Sequence, residues 1–478
     1  MIPRSPRTFK RASSEALGNV VLRQAMDKAK SGFVDKRAKA VALVPEFERL
    51  RDEARDIKNY SLDHLDALLE QYEQSVTHAG GHVHWADSGA DLRKIVVDIC
   101  KQAEARNDPP LVAKGKSMVG EEVDINQALE DAGLEVIETD LGEYIIQLAD
   151  EPPSHIIAPA VHKTKEQIAD LFEQNHPDLN EHLTEIPDLV NEARRVLRQK
   201  FLAADIGITG ANLLIAESGT SVLVTNEGNG DLSSNLPRVH IVIAGIEKVI
   251  PTLDDASTIL RVLARSATGQ PITSYTSFFT GPKREGDLDG PEEYHVVLVD
   301  NGRTGILNSE FREMLRCIRC GACMNHCPVY AAVGGHAYGS VYPGPMGSVL
   351  TPFFKGMEDS ADLPNACTLN GRCATVCPVR IPLPDLLRKH RNALHRAKLN
   401  GATNRLALSA WAWAATHPSI YRFMVNIKSW LLARWGKDEV IHHMPTAKGW
   451  TETRDLPKTE GESFFQRYAR EKGTGGAN

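Results

Sequence analysis

The run Cys317-Ile-Arg-Cys320-Gly-Ala-Cys323-Met-Asn-His-Cys327-Pro328 is answered fifty residues later by Cys367-Thr-Leu-Asn370-Gly-Arg-Cys373-Ala-Thr-Val-Cys377-Pro378. Of the eight cysteines only Cys100 lies outside this window. A disulfide framework spreads its cysteines through a small secreted domain, whereas a dense group in a long chain points to metal. In the first run three cysteines at intervals of three wrap a tight loop. The fourth, just before proline, opens a helix and points away. The second run repeats the pattern, and no other internal repeat is present.

Thiolates at this spacing each reach a different iron of one cubane, and in two-cluster ferredoxins the fourth cysteine serves the other cluster. Ligand exchange between the runs then assigns Cys317, Cys320, Cys323 and Cys377 to cluster I. Cluster II takes Cys327, Cys367 and Cys373. Zinc also uses Cys-x2-Cys doublets, but a cysteine group ending in Cys-Pro, twice over, is the iron–sulfur pattern. A complete second run would carry cysteine at 370, where this chain has Asn370, a poor ligand for iron in a sulfide cluster. The remaining spacing resembles the [3Fe–4S] motif of succinate dehydrogenase iron–sulfur subunits. The expectation is one [4Fe–4S] and one [3Fe–4S] cluster, the alternative being a labile second [4Fe–4S] cluster. His326 reads as a neighbour of the ligands, and Cys100, beside Ile99 on an apolar helical face, as a buried small hydrophobe.

Working outward, the 478 residues suffice for two or three domains. With 42% hydrophobic and 24% charged residues the composition is that of a globular protein, which excludes a disordered or collagen-like chain. The net charge of −7 gives no reason to expect nucleic acid as a partner. No apolar run approaches the length of a membrane span. The N-terminus is basic (Arg4, Arg7, Lys10, Arg11) but lacks the apolar core of a secretory signal. A cytoplasmic protein is expected.

Four segments are expected. Residues 1–60 form a helical arm with Leu17, Val21, Leu22, Ala25 and Met26 on one face. Residues 1–58 hold 14 basic and 8 acidic side chains, which suits a solvated arm or one that docks an acidic partner. Residues 61–303 alternate helix and strand, with strands at 134–139, 155–158, 212–217, 221–226, 240–244 and 294–300. That alternation is an α/β layered domain with a largely parallel sheet, antiparallel in part across 212–245. Residues 304–396 read as an α-helical domain carrying the cysteines. Residues 397–478 hold five of the six tryptophans and read as an amphipathic helix or helix pair followed by an extended polar tail.

The run Gly207-Ile-Thr-Gly-Ala-Asn-Leu-Leu-Ile-Ala-Glu217-Ser-Gly-Thr220, with Val224-Thr-Asn226-Glu227-Gly-Asn229-Gly230, resembles the LUD domain. Together with the dicluster segment, the Gly80-Gly-His82-Val-His84-Trp85-Ala86 stretch and the Lys448-Gly-Trp450-Thr…Arg454-Asp-Leu-Pro457 tail, it makes the whole chain resemble the LutB-type lactate-utilisation iron–sulfur family. The resemblance implies a LUD fold similar to the CoA-transferase and ribose-5-phosphate-isomerase group. It also implies an electron-transfer role in oxidising L-lactate to pyruvate, with a cysteine-rich sister subunit and a second LUD-domain protein as partners. The alternatives are electron transfer from another hydroxy acid, or a binding scaffold with structural clusters.

In α/β sheets ligands sit beyond the carboxyl ends of strands. The turns 216–220 and 225–230 therefore supply pocket candidates Glu217, Ser218, Thr220, Asn226, Glu227 and Asn229, with Glu217 and Glu227 as candidate acid–base groups. Lys114, Lys116 and Ser117, in the loop after Leu111, are candidates to hold a carboxylate. No dinucleotide fingerprint or P-loop is present. The aromatic C-terminal helices could dock a partner or the membrane surface, where a quinone would accept electrons. Simple packing over the cysteine domain is the competing expectation.

Overall fold

The structure is a computed structural model and describes residues 5–435 and 439–474; Arg4 of the basic N-terminus lies outside them. The chain divides into two compact units, one ending at Leu394 and one beginning at His395.

The first unit is built on ten strands: β1 (His82–Ala86), β2 (Leu111–Lys114), β3 (Glu135–Glu138), β4 (Ile206–Gly210), β5 (Leu213–Ile215), β6 (Thr220–Thr225), β7 (Val239–Gly245), β8 (Val249–Ile250), β9 (Tyr275–Phe279) and β10 (Glu293–Val299). Six form a sheet in the order β1-β10-β7-β4-β2-β3, and every pairing in it is parallel. Helices cover both faces, so the central strands are nearly continuous apolar runs. Ile241, Ile243, Val297 and Val299 pack with Leu92, Val96 and Leu129 on one side. Their neighbours Val242, Ala244, Val296 and Leu298 pack with Leu68, Tyr72 and Val76 on the other. Helix Gly89–Gln102 is started by a Ser88–Asp91 capping box and Leu253–Ala267 by Thr252–Asp255, each satisfying exposed N–H groups of a first turn.

A second sheet, ordered β8-β5-β6-β9, contains the antiparallel pairs β5–β6 and β6–β9. The antiparallel character expected across 212–245 thus belongs to a separate sheet. Helix Asn229–Asn235 then intervenes, and β7 returns to the parallel one. The expected strand at 155–158 is absent. His155 instead turns its Nδ1 back to accept the N–H groups of Ile157 and Ala158 at 3.0 and 3.1 Å.

Residues 303–394 hold only helices and 3-10 turns. Their core merges with the N-terminal helices Val20–Ala42 and Phe47–Asp63. The arm therefore packs into this core through Met26, Phe47, Leu50 and Ala54, while Leu17, Val20 and Val21 stay exposed.

In the second unit, helices Ala402–Ala415 and Pro418–Trp435 are followed by a short antiparallel pair, Val440–Ile441 with Leu456–Pro457. The end is not extended, because Phe464–Thr474 is a helix. Thr459 Oγ1 donates to Ser429 O at 2.7 Å, and Arg422 lies over the Phe465 ring at 5.5 Å. Trp411, Trp413, Trp430, Trp435 and Trp450 are exposed. Among the described residues no helix is long and apolar enough to cross a membrane.

Candidate functional site

The two cysteine loops share a backbone plan. Arg319 and Gly321 flank Cys320 at φ +59° and +72°, and Leu369 and Gly371 flank Asn370 at +56° and +81°. Left-handed residues on both sides turn the chain tightly enough to bring successive side chains to one centre. Cys317, Cys320, Cys323 and the distant Cys377 line a single small cavity whose other walls include Met314, Ile318, Met346 and Val379. Backbone N–H groups point at the sulfurs: Ile381 to Cys377 at 3.4 Å, Tyr330 to Cys327 at 3.5 Å and Leu369 to Cys367 at 3.3 Å. Cys327, Cys367 and Cys373 form the second group: Cys373 feels the charge of both Cys367 and Cys327, and Cys327 that of Cys367. Burial pushes the Cys320, Cys323, Cys373 and Cys377 thiols up, so thiolates there require the compensating positive charge that iron supplies. The donor set fits two iron–sulfur clusters.

Asn370 is exposed, and its Oδ1 accepts the Arg372 N–H at 2.9 Å. His326 Nδ1 lies 2.9 Å from Ala322 O, one turn back. Cys100 is buried in the sheet core, its thiol pushed up to about 12 by burial.

The N-terminal arm holds the second loop. Arg51 donates to Cys377 O at 2.7 and 3.1 Å and to Thr375 O at 2.8 Å, while Arg37 donates to Val376 O at 3.0 Å. Both arginines are buried. Two cations of the arm are thus met by backbone carbonyls of the same chain, a pairing that no charge count reveals.

A second cavity, of about 220 Å³, lies at the carboxyl ends of β2 and β4. Lys116, Ser117, Asn226, Glu227 and Asn229 line it. Lys116 donates to Ile157 O at 2.9 Å, and Ser117 Oγ accepts Gly120 N–H at 3.1 Å. Asn226 Oδ1 accepts from Ser274 N and Gln270 Nε2, both at 3.2 Å. Glu227 stands at the exposed mouth, its carboxyl raised by partial desolvation and then by the like charge of Asp140. Buried Thr225 Oγ1 and Asn229 Oδ1 have no hydrogen-bond partner among the described residues.

Glu217, Ser218 and Thr220 are not among these lining residues. They belong to the β5–β6 hairpin, at the opposite end of β6 from Asn226–Asn229. Glu217 caps helix Leu253–Ala267 through Leu253 N–H at 2.7 Å. Ser218, Thr220 and Thr280 form a hydroxyl chain with links of 2.8 and 2.6 Å. Lys114 is no loop residue either: it ends β2, fully buried, with Nζ 2.5 Å from Glu138 and 2.9 Å from Glu121. Burial alone would lower its pKa, but Glu121, Glu138 and Glu143 outweigh it and raise it. Its charge is committed inside the fold.

The wall between the two cavities holds functional residues that no sequence motif marks. Arg319 and Cys320 line both. Arg319 lies over the Tyr342 ring at 4.6 Å and 3.5 Å from Glu247. Arg303 pairs with Glu247 at 2.7 Å and Glu122 at 2.8 Å, and Lys58 donates to Glu247 O. Burial would raise Glu247, but Arg303, Arg319 and Lys248 hold it down to about 2. Lys248 lines the larger cavity and is lowered to about 8 by burial, against the pull of Glu247. A Glu-Lys pair between two apolar strands was the available signal.

Fold and site together define a LUD-type α/β domain fused to a dicluster iron–sulfur segment. The LUD domain family matches residues 69–299, the 4Fe-4S dicluster domain 313–381, and the lactate utilisation protein B C-terminal domain 389–473. The chain belongs to the lactate utilization protein B family. Lactate utilization protein B of Shouchella clausii (strain KSM-K16) is 44% identical over 471 residues, covering 98% of each chain. That of Bacillus subtilis (strain 168) is 42% identical, covering 96% of each. The uncharacterized electron transport protein YkgF of Escherichia coli (strain K12) is 41% identical, covering 99% of this chain and 100% of that one.

Proposed function

We propose that this chain is the iron–sulfur electron-transfer subunit of a non-NAD L-lactate dehydrogenase system. The observation that carries the reading is the gathering of seven cysteines from two distant runs into two adjacent groups beside a polar pocket. Cys317, Cys320, Cys323 and Cys377 would hold a [4Fe–4S] cluster, and Cys327, Cys367 and Cys373 a [3Fe–4S] cluster. Bound clusters supply one-electron transfer. Oxidising L-lactate to pyruvate breaks the carbinol C–H and O–H bonds, forms the ketone and releases two electrons and two protons. A quinone, taking up both, balances it. Arg37 and Arg51 hold the backbone that carries Cys377. Lys116, Ser117, Asn226, Glu227 and Asn229 line the pocket for a small hydroxy acid, with Glu227 placed to exchange a proton at its mouth.

The names of the relatives support lactate as the donor. A cysteine-rich subunit and a second LUD-domain protein are the partners in this reading, and the chain works in the cytoplasm. The exposed tryptophans of helices Ala402–Ala415 and Pro418–Trp435 support peripheral contact with the inner face of the membrane. The parallel sheet covered on both faces supports a layered fold like that of the CoA-transferase group. The test is visible bleaching when L-lactate is added anaerobically to this chain mixed with both partners, each then omitted in turn. Bleaching in the full mixture supports the reading; none in any mixture, with clusters intact, overturns it.

A further inference from the structure

Lys248 is only 6% exposed, yet its side chain lines the larger cavity and makes no hydrogen bond or ion pair among the described residues. A buried ammonium left this way is costly unless an anion meets it. Beside it, Arg319 reaches the same cavity from inside the first cysteine loop and also lines the cavity of the four sulfurs. Lys248 and Arg319 both feel the charge of Cys317. Lys116 adds a third cation to the pocket walls, and Asn229 Oδ1 a buried acceptor without a partner. Glu247, the neighbouring acid, is already bonded to Arg303, and Asp140 and Glu227 complete the acidic side of the lining. Three cations and two unpartnered oxygens, Asn229 Oδ1 and Thr225 Oγ1, are the complement of a carboxylate carrying an adjacent hydroxyl: the carboxylate meets the cations, and the hydroxyl donates to Asn229.

We infer that Lys248 and Arg319 form a carboxylate seat for a small 2-hydroxy acid against the wall of cluster I, so that filling the pocket and reducing that cluster oppose one another. The inference rests on the proposed function both for the presence of the cluster and for a small hydroxy acid as the pocket's ligand. An anion held by cations that also face a thiolate-bound centre makes added negative charge on that centre less favourable. Linkage makes the effect reciprocal: whatever factor separates the ligand's affinity for the two redox states must appear as a shift in potential.

The probe is 2-hydroxyisobutyrate, which keeps the carboxylate and hydroxyl but has no carbinol hydrogen to lose. It is titrated calorimetrically into anaerobically purified holoprotein, and the midpoint potential of cluster I is followed by EPR with and without it. Binding about tenfold tighter to the oxidised protein, and therefore a potential lower by about 59 mV, is expected. Lys248→Met keeps the length and apolar stem of the side chain. It should weaken binding at least tenfold and abolish the shift, with iron content and EPR line shape unchanged. Isobutyrate, lacking the hydroxyl, should bind more weakly than the probe. Saturable binding with no shift in potential overturns the inference, as does unchanged binding in Lys248→Met. Capture of inorganic phosphate in preference to the hydroxy acid overturns it too. If Lys248→Met loses iron, Lys248→Gln is measured in its place against the same criteria. The probe cannot be oxidised and is read on this chain alone, so the seat can fail here while lactate-dependent bleaching in the mixed system still stands.

Discussion

Asn370 stands in the second cysteine loop where Cys320 stands in the first, between residues of the same left-handed backbone, and its Oδ1 is taken by the Arg372 N–H at 2.9 Å. A carboxamide spent on its own turn offers nothing to a fourth iron. The protein as isolated should carry about seven irons per chain and an oxidised [3Fe–4S] EPR signal. In Asn370→Cys the loop is already shaped to present a sulfur, so iron should rise to about eight and that signal should vanish. About eight irons in the unaltered protein, with no such signal, would defeat this assignment.

The cysteine runs were legible because ligand chemistry demands fixed spacing, and Cys377 lies beside Cys317, Cys320 and Cys323 as ligand exchange requires. Strands β7 and β10 were legible because burial on both faces makes them nearly continuous apolar runs. β1 and β4 were not: β1 carries His82, His84 and Trp85, and β4 is interrupted by Gly207. The pocket was half visible. Turns at one end of β6 line it and those at the other do not, a distinction set by the hairpin and absent from composition. Lys248 and Arg319 stayed hidden because their role depends on two segments about seventy residues apart meeting in one wall.

Arg51 ties the N-terminal arm to the second cysteine loop through three hydrogen bonds to Thr375 and Cys377 carbonyls. Hydrogen bonds from a charged donor are worth about 1.5–3 kcal/mol, and the carbonyls would be left buried and unpaired. Arg51→Leu should therefore lower stability by about 3 kcal/mol and speed loss of cluster absorbance in denaturant. Arg49, whose ion pair with Glu53 at 3.2 Å is exposed, provides the contrast: Arg49→Leu should stay within about 1 kcal/mol. Equal effects would show that the arm does not secure the loop.

Gly207 lets β4 pass beneath helix Asn229–Asn235, because a Cβ there would lie 1.7 Å from Ser233 O. Gly207→Ala should displace that helix, cost about 2–3 kcal/mol by overpacking, and carry Asn229 out of the pocket. Thermal unfolding and 2-hydroxyisobutyrate binding should fall together. Gly305→Ala, where an added Cβ meets nothing within 4 Å, should change neither. Binding retained in a destabilised Gly207→Ala would separate Asn229 from the ligand.

His240 and His155 make the fold sensitive to acid. Burial holds His240 down to about 3 and His155 to about 4, against an ordinary value of 6.5. His240 Nε2 lies 2.8 Å from Thr209 Oγ1. His155 Nε2–H donates to Asn325 Oδ1 at 2.9 Å while Nδ1 accepts backbone N–H groups, which fixes the neutral ring. Below pH 6.5 the unfolded chain takes up protons at both sites and the folded chain does not, so unfolding gains ground as pH falls. The stabilisation is complete above pH 6.5 and is lost progressively toward the folded values, at about 1.4 kcal/mol per pH unit for each histidine. Unfolding free energy measured between pH 7 and pH 5 should fall accordingly. His240→Gln, which keeps a partner for Thr209 but cannot titrate, should shallow the slope by about one proton. A slope unchanged in that variant would mean that His240 takes up its proton as readily in the folded protein as in the unfolded chain, against the burial that surrounds it.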